Sequence, residues 1–356
     1  MKIQENIPLS PFTTFQVGGP ARYLAEARSE SDIKDALQFA AERRLPLFVL
    51  GGGSNLVVAD EGWPGLALKI GLMGVEFGFD GNDALFHAGA GENWDEFVAF
   101  TVEHNCAGVE CLSGIPGTVG GTPVQNVGAY GQEVSQTISR VRVLEIATGK
   151  VSDLSNEQCG FAYRSSIFNT SQRGKHIVLE VRYTLQQDGK PTVEYADLKK
   201  YFAAGTRPTL QRVRNAVREI RQSKAMLLVP GDEDCRSAGS FFKNPLVSEA
   251  EANRIEALAR QRAPEKMLPR YPAEDGQVKL SAAWLVEQAG FHKGYARGPV
   301  GISRKHSLAI VNRGGATARD IIGLKKEIEE KVFDVWGVRL QPEPVFVGFE
   351  KVAIAK

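Results

Sequence analysis

The sequence predicts an α+β protein built from more than one unit, and three observations carry that prediction. The first half alternates short apolar runs with amphipathic helical patterns. A glycine-rich stretch interrupts the alternation between Gly108 and Gly131. Beyond an acidic turn, Gly231-Asp232-Glu233-Asp234, a second and smaller series of helices and strands begins. The length of 356 residues agrees with two or three domains.

The elements follow in order. Ser29-x-x-Asp32 forms a helix entry box, with Ile33, Ala36, Leu37, Ala40 and Ala41 at helical spacing behind it and Pro46 as the stop. Residues 47–50 read as a buried strand that runs into Gly51-Gly52-Gly53-Ser54-Asn55. A helix after Asn93 places Trp94, Phe97, Val98, Thr101 and Val102 on one face. Seven glycines and two prolines in 108–131 exclude a long regular helix there. Strands return at 140–145 and 176–185. A basic helix is expected from 209 to about 224, with Leu210, Val213, Val217 and Ile220 inward and Arg212, Arg214, Arg218 and Arg221 on a solvated face. The acidic turn reads as a linker. Ser248-x-x-Glu251 opens the next helix, Trp284, Leu285 and Gln288 mark another that ends at Gly290, and Thr317-x-x-Asp320 opens a third carrying Ile321, Leu324, Ile328, Val332 and Val335. Residues 307–312 form a strand, and 265–277 a surface loop. Trp94, Trp284 and Trp336 belong to the core, because helical periodicity already accounts for them.

Composition narrows the function. Forty-three Lys+Arg against 42 Asp+Glu leave a net charge of +1, which disfavours a partner held mainly by charge, such as nucleic acid or a membrane surface. No secretory signal is expected from MKIQENIPLSPF, and no run approaches the ~18 apolar residues of a membrane helix. Cys106, Cys111, Cys159 and Cys235 form no CxxC pair and read as reduced thiols. Five scattered histidines without HExxH or a Cys/His grouping predict no metal site.

The glycine loops carry the first chemical signal. In the strand-GGGSN corner, Leu50, Gly51, Gly52 and Gly53 bring backbone toward a ligand, and Ser54 and Asn55 add donors suited to a phosphate. The plainer reading is a tight corner. A second loop, Gly114-x-x-Gly117-x-x-Gly120-Gly121, has the freedom to wrap a large ligand, with Gln125, Asn126 and Tyr130 at its end. Two such loops suit a dinucleotide. Neither is G-x-G-x-x-G or a P-loop, so a Rossmann dehydrogenase and a P-loop ATPase are disfavoured.

At this point the residues resemble a known family. VLGGGSNLVV, GAGENW and IPGTVGGTPVQNVGAYG resemble the FAD-binding domain of the UDP-N-acetylenolpyruvoylglucosamine reductases, and FAYRSSIF, AGSFFKNP and QPEPVFVG resemble their catalytic segments. Six motifs stand in the same order over almost the whole chain. The resemblance implies an FAD-binding fold of the vanillyl-alcohol-oxidase type in two α+β subdomains, 1–70 and 71–229. It further implies a smaller α+β substrate-binding domain at 230–340 and a C-terminal segment at 341–356. VEYADLKKYF, with Tyr195, is similar to the substrate-covering tyrosine loop of one branch of the family.

The activity so implied is reduction of UDP-N-acetylglucosamine enolpyruvate to UDP-N-acetylmuramate, a step in peptidoglycan precursor synthesis. NADPH is the co-substrate and FAD is bound noncovalently. The setting is cytoplasmic and the partner a small molecule only, with a monomeric chain. Ile115, Pro116, Gly128 and Ala129 join the loop residues named above as cofactor contacts. Arg164 is implied as the residue that stabilises developing carboxylate charge, since its planar fork suits a carboxylate. Glu343 is implied as a partner that hydrogen-bonds the enediolate, which requires a raised pKa. Ser240 is implied as the proton donor. Tyr195, Lys224, Asn244 and Gln288 match substrate-contacting positions. Without the resemblance, Arg164 reads as a surface ion-pair member, Ser240 as a turn residue and Lys224 as a solvated helix-end cation.

Two other readings compete. One is a flavin oxidase of the same superfamily acting on an alcohol or sugar, which fast reoxidation by oxygen would reveal. The other is a nucleotide-binding module without chemistry, which the presence of Arg164, Ser240 and Glu343 together disfavours.

Overall fold

The computed structural model describes residues 1–203, 205–273 and 276–349. The first sheet uses β1 (Ile3–Pro8), β2 (Pro20–Ala27), β3 (Leu47–Leu50) and β5 (Trp63–Ile70) in the order β1-β2-β5-β3. β5 runs parallel to both β2 and β3. Helix α1 (Glu30–Glu42) makes the crossover from β2, and the Ser29 hydroxyl accepts from Asp32 N–H at its start. Ile33, Ala36 and Ala40 are buried as expected, whereas Ala41 is exposed on the far side of the last turn. The short β4 (Leu56–Val58) leaves this sheet and pairs elsewhere.

The second sheet is antiparallel, β12-β11-β13-β7-β6. Its strands are β6 (Val75–Asp80), β7 (Asp83–Gly89), β11 (Ile138–Glu145), β12 (Val151–Ser155) and the long β13 (His176–Gln187), with β8 (Cys106–Ala107) paired to the end of β13. Helix α2 (Trp94–Glu103) is capped by Asn93 and sends Trp94, Phe97, Val98, Thr101 and Val102 into the core. The Trp94 indole N–H donates to the Leu112 carbonyl at 3.0 Å, so the largest core side chain is also satisfied. The 108–131 stretch holds two 3-10 turns and β9 (Gly128–Ala129), which pairs with β10 (Gln132–Glu133) just beyond it.

Helices α3 (Ala196–Tyr201) and α4 (Leu210–Ser223) follow. Here one expectation fails. The α4 arginines do not make a solvated face. Arg214 is buried and donates to Asp95 Oδ1 at 2.6 Å, and Arg218 pairs with the same carboxylate. Arg221 Nε is sealed from solvent without a partner, while its Nη2 donates to the Met226 carbonyl at 2.6 Å. Positions 214, 218 and 221 share one helical stripe, and the first turn of α2 supplies the countercharge. Only Arg212 stays on the exposed side.

The remaining chain forms α5 (Glu249–Arg262), α6 (Ala282–Gln288) and α7 (Ala318–Trp336) over two three-stranded antiparallel sheets. One sheet orders β14 (Leu246–Ser248), β16 (Gln277–Leu280) and β15 (Arg270–Pro272), and the other β17 (Ala296–Arg297), β18 (Val300–Ile302) and β19 (Ile310–Asn312). A full capping box at Thr317 and Asp320 starts α7, and left-handed Gly337 ends it. Ile321, Leu324, Ile328, Val332 and Trp336 are buried.

Two further expectations change. The acidic turn is docked rather than free: Asp234 is buried and accepts from Arg304 Nε at 3.1 Å, and Asp232 pairs with Lys305 at 2.5 Å. The expected surface loop at 265–277 carries β15 and a buried Leu268, because Arg270 and Pro272 pair with Leu280 and Val278; Glu274 and Asp275 lie outside the described residues. The C-terminal segment returns to the start of the chain. Its strand β20 (Val345–Val347) runs parallel to β4, and residues 350–356 lie outside the described residues. No helix among the described residues is long and apolar enough to cross a membrane.

Candidate active site

The two glycine loops pack on each other. A Cβ on Gly52 would lie 2.6 Å from Gly117 Cα, and one on Gly53, at φ +67°, would lie 1.7 Å from the Phe12 carbonyl oxygen. These glycines therefore serve loop-to-backbone contact. The donors expected for a phosphate are already engaged: Ser54 Oγ donates to the Pro116 carbonyl at 2.9 Å, and Asn55 Nδ2 donates to Gln125 Oε1 at 2.8 Å and to the Glu343 carbonyl at 3.3 Å. Asn55 thus joins both loops and the C-terminal segment.

Beneath the loops opens a cavity of about 1380 Å³, walled by all three parts of the chain. Of the expected cofactor contacts, Gly51, Gly52, Gly53, Ser54 and Asn55 line it, as do Ile115, Pro116, Gly117, Gly121 and Gln125, and then Gly128, Ala129 and Tyr130. Three expected contacts do not. Leu50 is 1% exposed within β3. Gly120 has no room above Ala90, whose Cβ would meet an added methyl at 2.6 Å. Asn126 is buried, and its amide is spent on Glu133, the Ala162 carbonyl and Ser135 N–H.

Arg164 sits in a tight turn in which Ala162 and Ser165 exchange two backbone hydrogen bonds of 3.0 Å. It adopts φ +53°, a left-handed conformation that disfavours a side chain of this size. Tyr130 at φ +50° and Ala225 at φ +52° are likewise left-handed and line the same cavity. From its turn, Arg164 donates through Nη2 to the Gly128 carbonyl at 2.6 Å and places Nε 3.3 Å from Glu343 Oε1. Asn169 Nδ2 and Lys243 Nζ donate to its carbonyl at 3.2 and 3.4 Å, which holds the turn.

Glu343 stands on a segment hydrogen-bonded to the stretch that carries Ser240. Its N–H donates to the Phe241 carbonyl at 2.9 Å, and Lys243 N–H donates to the Gln341 carbonyl at 2.9 Å. Ser240, next to Phe241, is thereby held on the same wall. Burial pushes the Glu343 carboxyl above its ordinary range, against the opposing pull of Arg164 and Lys243. Ser240, Arg164 and Glu343, distant in sequence, all border one cavity.

The substrate candidates divide. Tyr195 lines the cavity and packs edge-on against Tyr130 with ring centroids 5.4 Å apart. Lys224 lines it and pairs with Asp197 at 2.6 Å. Asn244 lines it while its Oδ1 accepts from Ala282 N–H at 2.9 Å. Gln288 does not line it, because α6 turns its N-terminal end to the cavity through Ser281 and Ala283, and Gln288 closes the other end. Sequence reasoning missed Arg221, Lys243, Tyr163, Tyr271, Lys279 and His306, all on the cavity wall. Only Arg221 had a usable signal, the i, i+4, i+7 spacing with Arg214 and Arg218.

The comparisons agree with this geometry. Residues 21–155 match the model of an FAD binding domain, and residues 230–347 match that of the C-terminal domain of UDP-N-acetylenolpyruvoylglucosamine reductase. The chain is 45% identical to the UDP-N-acetylenolpyruvoylglucosamine reductase of Streptomyces avermitilis over 96% of its own length and 94% of that protein. It is also 45% identical to the reductase of Thermobifida fusca, covering 96% of this chain and 97% of that one. The chain belongs to the UDP-N-acetylenolpyruvoylglucosamine reductase family. The solved reductase of Thermus caldophilus aligns over 98% of this chain and 99% of that one, with a TM-score of 0.67 at 26% identity.

The residues present fit the FAD of this reductase family. Both glycine loops fall within the FAD-binding match. Arg221 lines the same cavity and brings to it a guanidinium suited to an anionic group. The cavity exceeds the ~300–1,000 Å³ usual for one drug-sized ligand, which leaves room for a cofactor and a second molecule. Cys111, the thiol nearest the second loop, is buried and donates to the Thr192 carbonyl at 3.3 Å, and it does not line the cavity.

Proposed function

We propose that this chain reduces UDP-N-acetylglucosamine enolpyruvate to UDP-N-acetylmuramate at the expense of NADPH, with noncovalent FAD as cofactor. The carrying observation is the convergence of Arg164, Glu343 and Ser240 on the cavity under the glycine loops. Bound FAD supplies the hydride that passes from NADPH to the enolpyruvyl group.

The chain's own residues manage the charge. As the terminal alkene carbon gains hydride, negative charge spreads into the neighbouring carbon and its carboxylate. Arg164 faces that carboxylate with a fixed fork of donors. Glu343, whose carboxyl burial shifts toward the protonated form, donates a hydrogen bond to the same oxygens when it carries its proton. Ser240 delivers its hydroxyl proton to the carbanion-like carbon. Lys224, Tyr195 and Asn244 on the far wall hold the nucleotide sugar, and the pocket serves NADPH and substrate in turn. The subdomain limits given above follow from the same reading, as do a monomeric enzyme, a cytoplasmic setting and a small-molecule partner.

The deciding experiment is anaerobic stopped-flow absorbance. Enzyme reduced with one equivalent of NADPH and mixed with UDP-N-acetylglucosamine enolpyruvate should recover the oxidised flavin band rapidly. A flavin that reduces but ignores this substrate while reoxidising fast in oxygen would replace the reading with the oxidase.

A further inference from the structure

Thr192 stands three residues before Tyr195, in the stretch that leads from β13 to α3. Among the described residues, no backbone–backbone hydrogen bond involves residues 190–194. Side chains hold the stretch instead, and all of them act on Thr192. Its N–H donates to Glu110 Oε1 at 2.8 Å, its carbonyl accepts from Cys111 Sγ at 3.3 Å, and its hydroxyl accepts from Gln132 Nε2 at 3.3 Å. One residue is thus pinned at three atoms by three side chains from elsewhere in the chain.

The pin is built from buried groups. Glu110 is 0% exposed and Gln132 is 4% exposed. The second Glu110 oxygen accepts from Gly108 N–H at 2.8 Å, so one carboxyl ties residue 108 to residue 192. Gln132 Oε1 accepts from Cys111 N–H at 2.8 Å, and these two residues flank the second glycine loop. Burial, and then the Glu110 carboxyl, push the Cys111 thiol up, so it keeps the proton that it donates. A buried carboxyl in this position is costly to lose, because two N–H groups would be left without a partner. Beyond the pin, Tyr195 packs edge-on against Tyr130, and Leu198 and Phe202 enter an apolar cluster with Cys111, Tyr130 and α4. The near end of this segment is held by hydrogen bonds and the far end by packing.

We propose that Glu110 is a positioning residue of this site: with Cys111 and Gln132 it fixes Thr192, and thereby fixes where Tyr195 stands on the cavity wall. It touches neither substrate nor cofactor and acts through Tyr195. The proposal rests on the proposed function, in which Tyr195 helps to hold the nucleotide sugar.

Glu110→Gln is the first test, on the FAD-loaded enzyme. The glutamine keeps one acceptor oxygen and turns an NH2 toward the other N–H. The concentration of UDP-N-acetylglucosamine enolpyruvate that half-saturates flavin reoxidation should rise by roughly 5- to 30-fold, with the limiting rate within about threefold. In a Tyr195→Ala background the same substitution should change half-saturation by less than about twofold, since a residue that acts through Tyr195 has nothing left to position. A merely structural role would give additive effects. Thr192→Val, which loses the hydroxyl, should raise half-saturation by about 3- to 10-fold, and Thr192→Ser, which keeps it, should stay near wild type. Amide hydrogen exchange followed by mass spectrometry should speed up at least ~10-fold across residues 190–202 in Glu110→Gln, with the first sheet unchanged.

Unchanged exchange at 190–202 would overturn the proposal. So would additive effects of Glu110→Gln and Tyr195→Ala, or a fall in the limiting rate with half-saturation unmoved. If Glu110→Gln does not fold, the Thr192→Val and Thr192→Ser pair decides by the same two readouts. Exchange needs no substrate, so it reads the pin even in an enzyme that ignores the enolpyruvyl compound. Failure of the proposed function therefore stays distinct from failure of this proposal.

Discussion

Arg164 Nε stands 3.3 Å from Glu343 Oε1, and this pair ties a strained turn of the second sheet's region to the C-terminal segment. The contact joins a permanent cation to a carboxyl that burial drives toward neutrality. On the proposed function, such a pair sets a full positive charge beside a carboxyl that donates when protonated, the combination that stabilises an enediolate.

Glu343→Gln should retain a neutral hydrogen-bond donor and lose titration. Because the folded pKa of Glu343 is raised, its protonated form prevails below that value and is lost as pH rises through it. The wild-type kcat/KM should therefore fall on the basic side, and the Gln variant should show that limb flattened, at a rate about 10- to 100-fold below wild type. A basic limb unchanged in the variant would remove Glu343 from this role.

Ser240→Ala should separate the half-reactions. Flavin reduction by NADPH should remain within about threefold, while reoxidation by the enolpyruvyl substrate should drop by roughly 100-fold or more, the scale of positioned proton transfer. Stopped-flow traces of each half-reaction read this directly. Equal loss in both would make Ser240 structural.

Gly52→Ala tests the packing of the loops. The added methyl would meet Gly117 Cα at 2.6 Å, backbone against backbone, with no flexible side chain to yield. The loops must separate, and FAD affinity should fall at least ~10-fold. Gly131→Ala meets nothing within 4 Å, but its φ of +90° makes it a control for backbone strain alone. Flavin content after purification and fluorescence titration distinguish the two.

Asp95→Asn probes the arginine stripe. Asp95 accepts from Arg214 and Gly114 N–H, both at 2.6 Å, and also pairs with Arg218. Burial alone would raise its carboxyl, but these partners hold it below its ordinary value. The variant should lose about 1–3 kcal/mol at pH 7 by denaturant titration. A depressed pKa gives stability that is present above the unfolded value of about 3.9 and lost as pH falls through the folded one. The two proteins should therefore begin to draw together as pH falls below about 3.9, and should converge only once it has passed the lower folded value.

Much of the fold was legible because its signals are local. Ser29, Asn93, Thr209, Ser248 and Thr317 each cap the helix that their spacing announced, and the tryptophans fall where the 3.6-residue period puts them. What failed was the assignment of faces and partners. Arg214 looked like one more cation on a basic helix, because nothing near it in sequence shows that Asp95 lies opposite. The amide partners of Asn126, Ala162 and Ser135, likewise come together with it only through folding.

The sequence by itself determined the caps that start five of the helices, the loops that no helix could form, and, through six ordered motifs, the family. Those properties depend on neighbouring residues and on residue identity, which the chain carries in one dimension. Only the tertiary structure decided which glycines meet backbone and where the arginines of α4 find their countercharge. Each of these depends on contacts between distant segments, whose geometry is set by packing of the whole chain and has no local trace in the sequence.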